Sequence, residues 1–256
     1  MKFSNSERNL GAIVLAAGKG SRIKAKNVNK VAMSLAGKPI IRHAIELLEK
    51  INIKTIVVVV GFAKASVINA LGQKVIYAEQ AKRLGTAHAA FCGFKKLPEG
   101  IKNVLIINGD DSAFYAGKMI QDLIEKHFSS NAALTFLTVE KDNPESFGRV
   151  ARDENGKLIA VFEEKNATPV QKRIKEINAG CYIYTAAFLK RYLPKVKKNS
   201  ISKEYYLTDL IALGIENNEN VISMQAGEMA WWGINTKEEL EEAELYKKTH
   251  LLKQEN

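Results

Sequence analysis

The sequence predicts an α/β fold, and three observations lead to that prediction. Short runs rich in β-branched residues recur along the chain. Segments with apolar residues at helical spacing lie between these runs. One stretch breaks the alternation and has the pattern of a β-hairpin around Asn155-Gly156. An alternation of this kind is typical of a parallel or mixed sheet that is covered by helices.

The elements follow one another in a regular order. Strands are predicted at residues 12–15, 55–60, 74–78, 104–108, 133–139, 177–184 and 221–225. Helices are predicted at residues 39–50, 63–71, 86–95, 118–128, 186–193, 206–216 and 236–252. Pro39 suits the first turn of a helix, and Thr236 with Glu239 forms a capping pattern. We therefore expect a Rossmann-like, mixed but mostly parallel sheet flanked by helices.

A small antiparallel β lobe is predicted within residues 140–180. Residues 149–152 and 158–163 flank the Asn-Gly turn, which is a strong hairpin signal. The length of 256 residues suits a single domain, 1–256, into which this lobe is inserted. In open α/β sheets a ligand lies beyond the carboxyl ends of the strands. The loops after Leu15, Ala78 and Asn108 are therefore where we expect the chemistry.

The composition describes a basic globular chain. There are 38 Lys and Arg against 28 Asp and Glu, and the resulting net charge of +10 attracts polyanions. Because the lysines are spread along the whole chain, a solvated surface is favoured and nucleic acid is not an expected partner. Cys92 and Cys181 lie far apart without metal-ligand spacing. No apolar run reaches the length of a signal peptide or a membrane span, so we expect a cytoplasmic protein.

A glycine-rich loop follows the first strand and begins Leu15-Ala16-Ala17-Gly18-Lys19-Gly20. Two glycines let backbone N–H groups approach phosphate oxygens, although an ordinary strand-to-helix turn explains them equally well. A dinucleotide fingerprint would require glycine at Ile23, and a P-loop would require Ser or Thr after Gly-Lys. What remains is a longer loop that suits a triphosphate and carries the cations Lys19, Arg22, Lys24, Lys26 and Lys30.

The glycine-rich loop is the first of a set of motifs that follow one another along the chain. The first two are Leu15-Ala16-Ala17-Gly18-Lys19-Gly20-Ser21-Arg22 and Ala36-Gly37-Lys38-Pro39. The later ones are Glu79-Gln80-Ala81-Lys82-Arg83-Leu84-Gly85-Thr86-Ala87-His88-Ala89, Asn108-Gly109-Asp110, Phe147-Gly148-Arg149-Val150, Phe162-Glu163-Glu164-Lys165-Asn166-Ala167, Glu176-Ile177-Asn178-Ala179-Gly180, Glu204-Tyr205-Tyr206-Leu207-Thr208-Asp209 and Gly233-Ile234-Asn235. The chain thereby resembles the sugar-1-phosphate nucleotidyltransferases. Within them it is most similar to the N-terminal uridylyltransferase domain of the bifunctional UDP-N-acetylglucosamine-synthesising enzyme.

The resemblance implies a reaction. It is the Mg²⁺-dependent transfer of UMP from UTP to a sugar 1-phosphate, N-acetylglucosamine 1-phosphate above all, with release of pyrophosphate. It further implies that Arg22, Lys30 and Asp110 are catalytic, and that Asp110 and Asn235 bind the metal. From the residues alone, Asp110 is equally consistent with a turn cap, and Asn235 fits the approach to the capping residue Thr236 better than a metal site.

The resemblance also assigns the two substrates. The nucleotide would be bound by Leu15, Ala16, Ala17, Gly18, Gln80, Gly85, Thr86 and Gly109. The sugar would be bound by Gly148, Glu163 and Asn178. Gln80 has an amide that can donate and accept at once, as reading a base edge demands. His88 is expected to be a helix residue without a catalytic role.

Three departures from the family limit what is carried over. No hexapeptide repeat follows, so acetyl transfer is not predicted. Asp111 stands where relatives usually have an apolar residue. Ala179 replaces a residue that is often Thr, and Trp231-Trp232 replaces a segment that often carries Glu. The identity of the sugar is therefore the least determined part of the prediction.

Alternatives stay open at this stage. Within the same chemistry, the chain would be a thymidylyl- or cytidylyltransferase acting on another phosphorylated acceptor. Outside it, the chain would be a sugar-nucleotide-binding or RNA-binding protein without turnover. The last helix, 236–252, is expected to pack back on the domain, with dimerisation through it as the alternative.

Overall fold

In the computed structural model, residues 8–20, 23, 27–144, 147–226 and 233–252 are described. Their strands are β1 Leu10–Ala16, β2 Ser34–Leu35, β3 Lys38–Pro39, β4 Thr55–Val60, β5 Ile76–Glu79, β6 Asn103–Asn108, β7 Leu134–Glu140, β8 Arg149–Arg152, β9 Leu158–Phe162, β10 Glu176–Thr185 and β11 Val221–Gln225. Their α-helices are α1 Ile40–Lys50, α2 Lys64–Leu71, α3 Thr86–Phe94, α4 Gly117–Ser129, α5 Ala186–Tyr192, α6 Asp209–Glu216 and α7 Lys237–Leu252. No helix in these ranges is long and apolar enough to span a bilayer.

The main sheet is mixed and mostly parallel, as the sequence predicts. Its strand order is β11-β7-β10-β6-β1-β4-β5. Strand β1 pairs in parallel with both β4 and β6, and β5 continues the parallel half beyond β4. Strand β10 is antiparallel to both of its neighbours, β6 and β7. The carboxyl ends of β1, β5 and β6 and the beginning of β10 therefore lie at one edge of the sheet.

Both faces of the sheet are buried, which explains the continuous apolar runs of its central strands. Along β1, Ala12 and Val14 pack on one face with α1, α2 and α4. Ile13, which lies between them in sequence, packs on the opposite face with α3, α5 and α6. Successive side chains of a strand point to opposite faces, so one apolar run contributes to both cores.

The predicted hairpin forms the small antiparallel lobe. Strands β8 and β9 pair with each other, and Arg149 in β8 pairs with Ile177 in β10. Gly156 has a φ of 77°, the left-handed conformation that the Asn-Gly turn predicts. The guanidinium group of Arg149 is buried and forms an ion pair with Glu164 at 2.6 Å. This contact ties the hairpin to the segment that follows β9.

Two details differ from the sequence prediction. A two-residue hairpin, β2–β3, precedes α1, and its turn residues Ala36 and Gly37 have φ of 51° and 78°. Alanine rarely adopts this conformation, so the sequence gives little sign of the turn. Helix α6 begins at Asp209, later than predicted, because the N–H groups of Asp209 and Leu210 bond to carbonyls three residues back, in turns of the 3₁₀ type.

The last helix packs back on the domain. Its capping pattern forms as predicted, since the N–H of Glu239 donates to Oγ1 of Thr236 at 3.1 Å. Ala243 is fully buried in a cluster that includes Leu35, and Leu240 packs against the same cluster. Leu245, in the same helix, is 66% exposed and does not belong to this cluster.

Candidate active site

Two cavities lie side by side at the edge where β1, β5 and β6 end. The larger, of about 500 Å³, is lined by the glycine-rich loop, by the segment after β5 and by the end of β6. The smaller, of about 200 Å³, lies between the β8–β9 lobe, the start of β10 and the segment before α6. Thr86 and Asn108 line both cavities. A molecule in one cavity therefore adjoins a molecule in the other.

The larger cavity contains most of the residues predicted to bind the nucleotide and the described catalytic ones. Its walls include Leu15, Ala16, Ala17, Gly18, Lys30, Gln80, Gly85, Thr86 and Asp110. Gly109 is an exception, because it is buried and does not line the cavity. Its N–H donates to the carbonyl of Leu15 at 2.9 Å, so this N–H joins two strand ends and is not free for a phosphate. Arg22 and Trp231-Trp232 lie outside the described residues.

Asn29 gives the glycine-rich loop its shape. Its buried Nδ2 donates to the carbonyl oxygens of Ala16 at 3.0 Å, Gly18 at 3.1 Å and Phe62 at 2.8 Å. Its Oδ1 accepts from the N–H of Val31, which begins the short 3₁₀ turn Lys30–Ala32. The Asn29 side chain thus holds two carbonyl groups of the loop, those of Ala16 and Gly18, and links them to Phe62. The sequence does not single out Asn29, because its carbonyl partners are distant along the chain.

The segment after β5 forms the opposite wall. Gln80 is 4% exposed, and its Nε2 donates to the carbonyl of Gly85 at 2.9 Å. Gly85 has a φ of 100°, and a Cβ on it would collide with the backbone of Tyr205, so glycine is required there. Oγ1 of Thr86 accepts the N–H of Leu207 at 2.9 Å. These contacts hold the wall rigidly against the segment that precedes α6.

One cation and two side-chain oxygen atoms meet at the wall of the larger cavity. The ammonium group of Lys30 forms an ion pair with Asp110 and donates to Oδ1 of Asn235 at 3.2 Å. Carboxylate and amide oxygens are ligands that Mg²⁺ prefers. The oxygens of Asp110 and Asn235 both contact the ammonium group of Lys30. The donor set therefore fits Mg²⁺. Among the residues that the structure describes, no group of three or more His, Cys, Asp or Glu side chains is arranged to hold a metal ion.

Asp111, the departure noted in the sequence, belongs to the smaller cavity. Its Oδ2 accepts from Nδ2 of Asn108 at 3.0 Å. Burial, and then the neighbouring carboxylate of Asp110, raise the pKa of Asp111 above its usual range. The adjoining cavity thus carries a second carboxyl group beside the predicted metal ligand.

The three residues predicted to bind the sugar lie together in the smaller cavity. Gly148 accepts the N–H of Asn178 at 2.9 Å through its carbonyl, and Oδ1 of Asn178 accepts the N–H of Gly180 at 3.2 Å. Glu163 accepts the hydroxyl of Thr208 at 2.6 Å, and burial raises the pKa of this carboxyl group. The sheet register shifts between Asn178 and Tyr182, and this bulge aims Asn178 at the cavity.

Several residues of the walls were not singled out from the sequence. Arg83 and Glu204 line the larger cavity, and Tyr182, Tyr206 and Thr208 line the smaller one. Tyr206 and Thr208 belong to a motif that carried the resemblance, so their position in that motif was the one available signal. Arg83 also lies in such a motif, the one that contains Gln80, but as an exposed cation it was not assigned a role there.

Comparison with known proteins identifies the family of the chain. The family model described as "Nucleotidyl transferase" matches residues 11–249, nearly the whole chain. The chain belongs to the nucleotidyl transferase family. The bifunctional protein GlmU of Carboxydothermus hydrogenoformans is 39% identical to it over 230 residues, which cover 89% of this chain and 50% of that protein. GlmU of Francisella tularensis subsp. novicida is 36% identical over 233 residues. The chain thus spans about half the length of these relatives.

A solved structure supports the same fold. It is described as a glucose-1-phosphate thymidylyltransferase from Bacillus anthracis, and it superposes with a TM-score of 0.79. The superposition covers 93% of this chain and 94% of that one at 23% sequence identity. The α/β fold and the family that the motifs predict are therefore confirmed. In this nucleotidyl transferase the loops after β1, β5 and β6 border one pair of joined cavities.

Proposed function

We propose that the protein transfers UMP from UTP to a sugar 1-phosphate, with N-acetylglucosamine 1-phosphate as the favoured acceptor, and releases pyrophosphate. The observation that carries the proposal is the junction of the two cavities. Lys30 and Asp110 lie in the larger cavity, and Asp111 lies in the smaller one. The α-phosphate of a nucleotide in the larger cavity would lie at this junction, next to the phosphate of a sugar in the smaller cavity.

The chemistry needs little more than position and charge. A phosphate monoester is largely dianionic near neutrality, so its oxygen attacks the α-phosphorus without a general base. Lys30 would neutralise charge on the phosphates at the junction, and Arg22 is proposed to do the same from the glycine-rich loop. Asp110 and Asn235 would hold Mg²⁺, which supplies further positive charge when bound.

The wall of the larger cavity supports a uracil base. Gln80 and Gly85 lie together there, and Gly85 can bring its backbone close to a ligand because it has no side chain. Leu15 and Ala89 supply apolar surface to the same cavity. The resemblance of the motif from Gln80 to Thr86 to the uridylyltransferase domain supports this choice of nucleotide. The deciding measurement is the nucleotide preference itself.

The smaller cavity supports a sugar rich in hydroxyl and amide groups. Glu163 offers carboxylate oxygens, and Asn178 offers an amide. Gly148 leaves room close to the backbone of β9, where a side chain would contact Val161. Together these groups can accept from and donate to several sugar substituents at once. The lobe that carries Gly148 and Glu163 would therefore select the acceptor.

The test is a matrix of substrates. The protein is mixed with Mg²⁺, with each of UTP, dTTP, CTP, ATP and GTP, and with a panel of sugar 1-phosphates, and pyrophosphate is measured. We expect the fastest release with UTP and N-acetylglucosamine 1-phosphate. Release of pyrophosphate with no pair at all would overturn the enzyme assignment. A preference for another sugar would correct the acceptor alone.

A matched pair of variants tests the metal assignment. Asp110→Asn removes the proposed carboxylate ligand and should lower turnover by at least about a hundredfold. Asp122→Asn makes the same chemical change in an exposed ion pair with Lys118, and should leave turnover unchanged. Equal turnover in the two variants would refute the role of Asp110.

One alternative has a specific observation behind it. The structural neighbour from Bacillus anthracis is described as a thymidylyltransferase. Uracil and thymine present the same hydrogen-bonding edge, so the substrate matrix separates them only by the room available for the 5-methyl group. A preference for dTTP would replace UTP in the proposal. A preference for CTP, or salt-dependent binding of mixed oligonucleotides without turnover, would favour the remaining alternatives.

A further inference from the structure

His88 accepts a hydrogen bond from the side-chain amide of Gln80. Nε2 of Gln80 lies 2.9 Å from the carbonyl oxygen of Gly85 and 3.0 Å from Nδ1 of His88. An amide nitrogen has two hydrogens, and these two acceptors use both of them. Within the part of the chain that the structure describes, no group donates to Oε1 of Gln80. The side chain therefore presents an acceptor, and no donor, to the larger cavity.

The two contacts also fix which way the amide faces. If the amide were turned over, Oε1 would face the carbonyl oxygen of Gly85, acceptor against acceptor, so Nε2 must lie on this side and Nδ1 of His88 accepts its second hydrogen. Nδ1 of His88 can accept only when the imidazole proton lies on Nε2. Burial lowers the pKa of His88, which favours the neutral ring that this arrangement needs. The sequence assigned His88 no role, so this contact is new.

We propose that His88 is a positioning residue: by holding the Gln80 amide with Oε1 towards the cavity, it selects nucleotides whose base carries a ring N–H beside a carbonyl. Uracil and thymine have such an N–H at N3, whereas cytosine has an acceptor there and would face Oε1 acceptor to acceptor. The inference rests on the proposed function, because it concerns how the nucleotide cavity of that enzyme discriminates. It corrects the expectation that Gln80 donates and accepts at once to the base.

Two substitutions at position 88 separate hydrogen bonding from packing. His88→Phe keeps a ring of similar size on α3 but removes the acceptor. His88→Asn loses the ring, yet its Oδ1 lies two bonds from Cβ, as Nδ1 does, and can accept from Gln80 again. Lys82→Ala, an exposed change in the same segment, serves as the control. For each protein, kcat/KM is measured with UTP, dTTP and CTP at a saturating acceptor concentration.

The expected result is a change in selectivity. His88→Phe should lower the UTP-to-CTP ratio of kcat/KM by about fivefold to tenfold, the effect of one hydrogen bond. His88→Asn and Lys82→Ala should keep that ratio within about twofold of the unmodified chain. An unchanged ratio in His88→Phe would overturn the inference, and so would an equal loss with UTP and CTP in both position-88 variants.

A measurement on the unmodified chain covers the case in which His88→Phe fails to fold. Long-range proton–nitrogen NMR of the labelled imidazoles should show His88 with its proton on Nε2 and a bare, hydrogen-bonded Nδ1. A proton on Nδ1 would overturn the inference. If the unmodified chain turns over UTP and CTP equally, the proposed base preference fails before any variant is made, which distinguishes that failure from a failure of His88.

Discussion

The ammonium group of Lys30 forms an ion pair with the carboxylate of Asp110 in the wall of the larger cavity, next in sequence to Asp111 of the smaller one. Lys30 thus neutralises the proposed metal ligand when no metal is bound. We therefore predict that Lys30→Met both lowers turnover and increases the stabilisation by Mg²⁺, because the ion no longer competes with the ammonium group. Melting temperatures with and without Mg²⁺ provide a measurement that does not depend on activity.

Lys64→Met is the matched control for this prediction. It removes a lysine from an exposed ion pair with Glu79, far from the proposed metal ligands in sequence. Its shift of melting temperature on adding Mg²⁺ should equal that of the unmodified chain. An equal shift in Lys30→Met as well would mean that Lys30 and Mg²⁺ do not compete at Asp110.

We predict that Asn29→Ala destabilises the protein and weakens nucleotide binding. The change removes donors to three carbonyl groups, and leaves a buried part of the glycine-rich loop without partners. We expect a loss of about 2–4 kcal/mol in the free energy of unfolding and a higher KM for the nucleotide. Urea unfolding and steady-state kinetics measure the two effects. Asn217→Ala, at an exposed helix end, should cost about 1 kcal/mol or less.

We predict that Gly180→Ala is much more damaging than Gly156→Ala. Both glycines have a positive φ, of 72° and 77°, so both substitutions strain the backbone by about 1–2 kcal/mol. Only at Gly180 would the new Cβ also collide with a neighbouring side chain, Nδ2 of Asn108. Urea unfolding should show the larger loss for Gly180→Ala, together with a raised KM for the acceptor. Equal losses would show that the collision is relieved without consequence.

The sequence predicted the sheet well because its signals are local. Each apolar run, like the Asn-Gly turn, predicts the conformation of its own segment. The predicted strands and the hairpin β8–β9 all form. The motifs also identified Glu163 and Asn178, and both residues line the smaller cavity. What the sequence could not predict depends on distant partners. Nδ2 of Asn29 donates to the carbonyl of Phe62, which follows β4, and the N–H of Gly109 donates to the carbonyl of Leu15.

The same limit applies to the chemistry of single side chains. Gln80 is recognised in sequence by its motif, but the use of its amide hydrogens depends on where His88 and Gly85 lie. Asp111 is visible as a departure from the family. Its burial, and with it the raised pKa, follows only from the packing around Asn108 and β10. Motifs therefore identify a site before they identify what each atom does there.

We predict that Glu163→Gln raises the KM for the acceptor by about tenfold or more and leaves the KM for the nucleotide nearly unchanged. Glu163 lines the smaller cavity only, where its carboxylate accepts the hydroxyl of Thr208. The amide keeps the size of the side chain but weakens its contacts with sugar hydroxyls. Glu154→Gln, in the exposed hairpin turn, should change neither constant. A rise in the nucleotide KM instead would place the acceptor elsewhere.

Finally, we predict a loss of stability in mild acid that arises from His127. This side chain is 2% exposed, and its Nδ1 lies 2.9 Å from Oγ1 of buried Thr135. Burial lowers the pKa of His127 from 6.5 to about 4. Between these values the unfolded chain binds a proton that the folded chain does not. The contribution is therefore fully present above about pH 6.5 and is lost as pH falls towards about 4, by on the order of 3 kcal/mol in total. Urea unfolding from pH 4 to 7 gives the free energy of unfolding at each pH. This free energy should change less steeply with pH in His127→Gln than in the unmodified chain, since glutamine takes up no proton. Parallel slopes for the two proteins would contradict the prediction, and His43→Gln serves as a comparison at a less buried histidine.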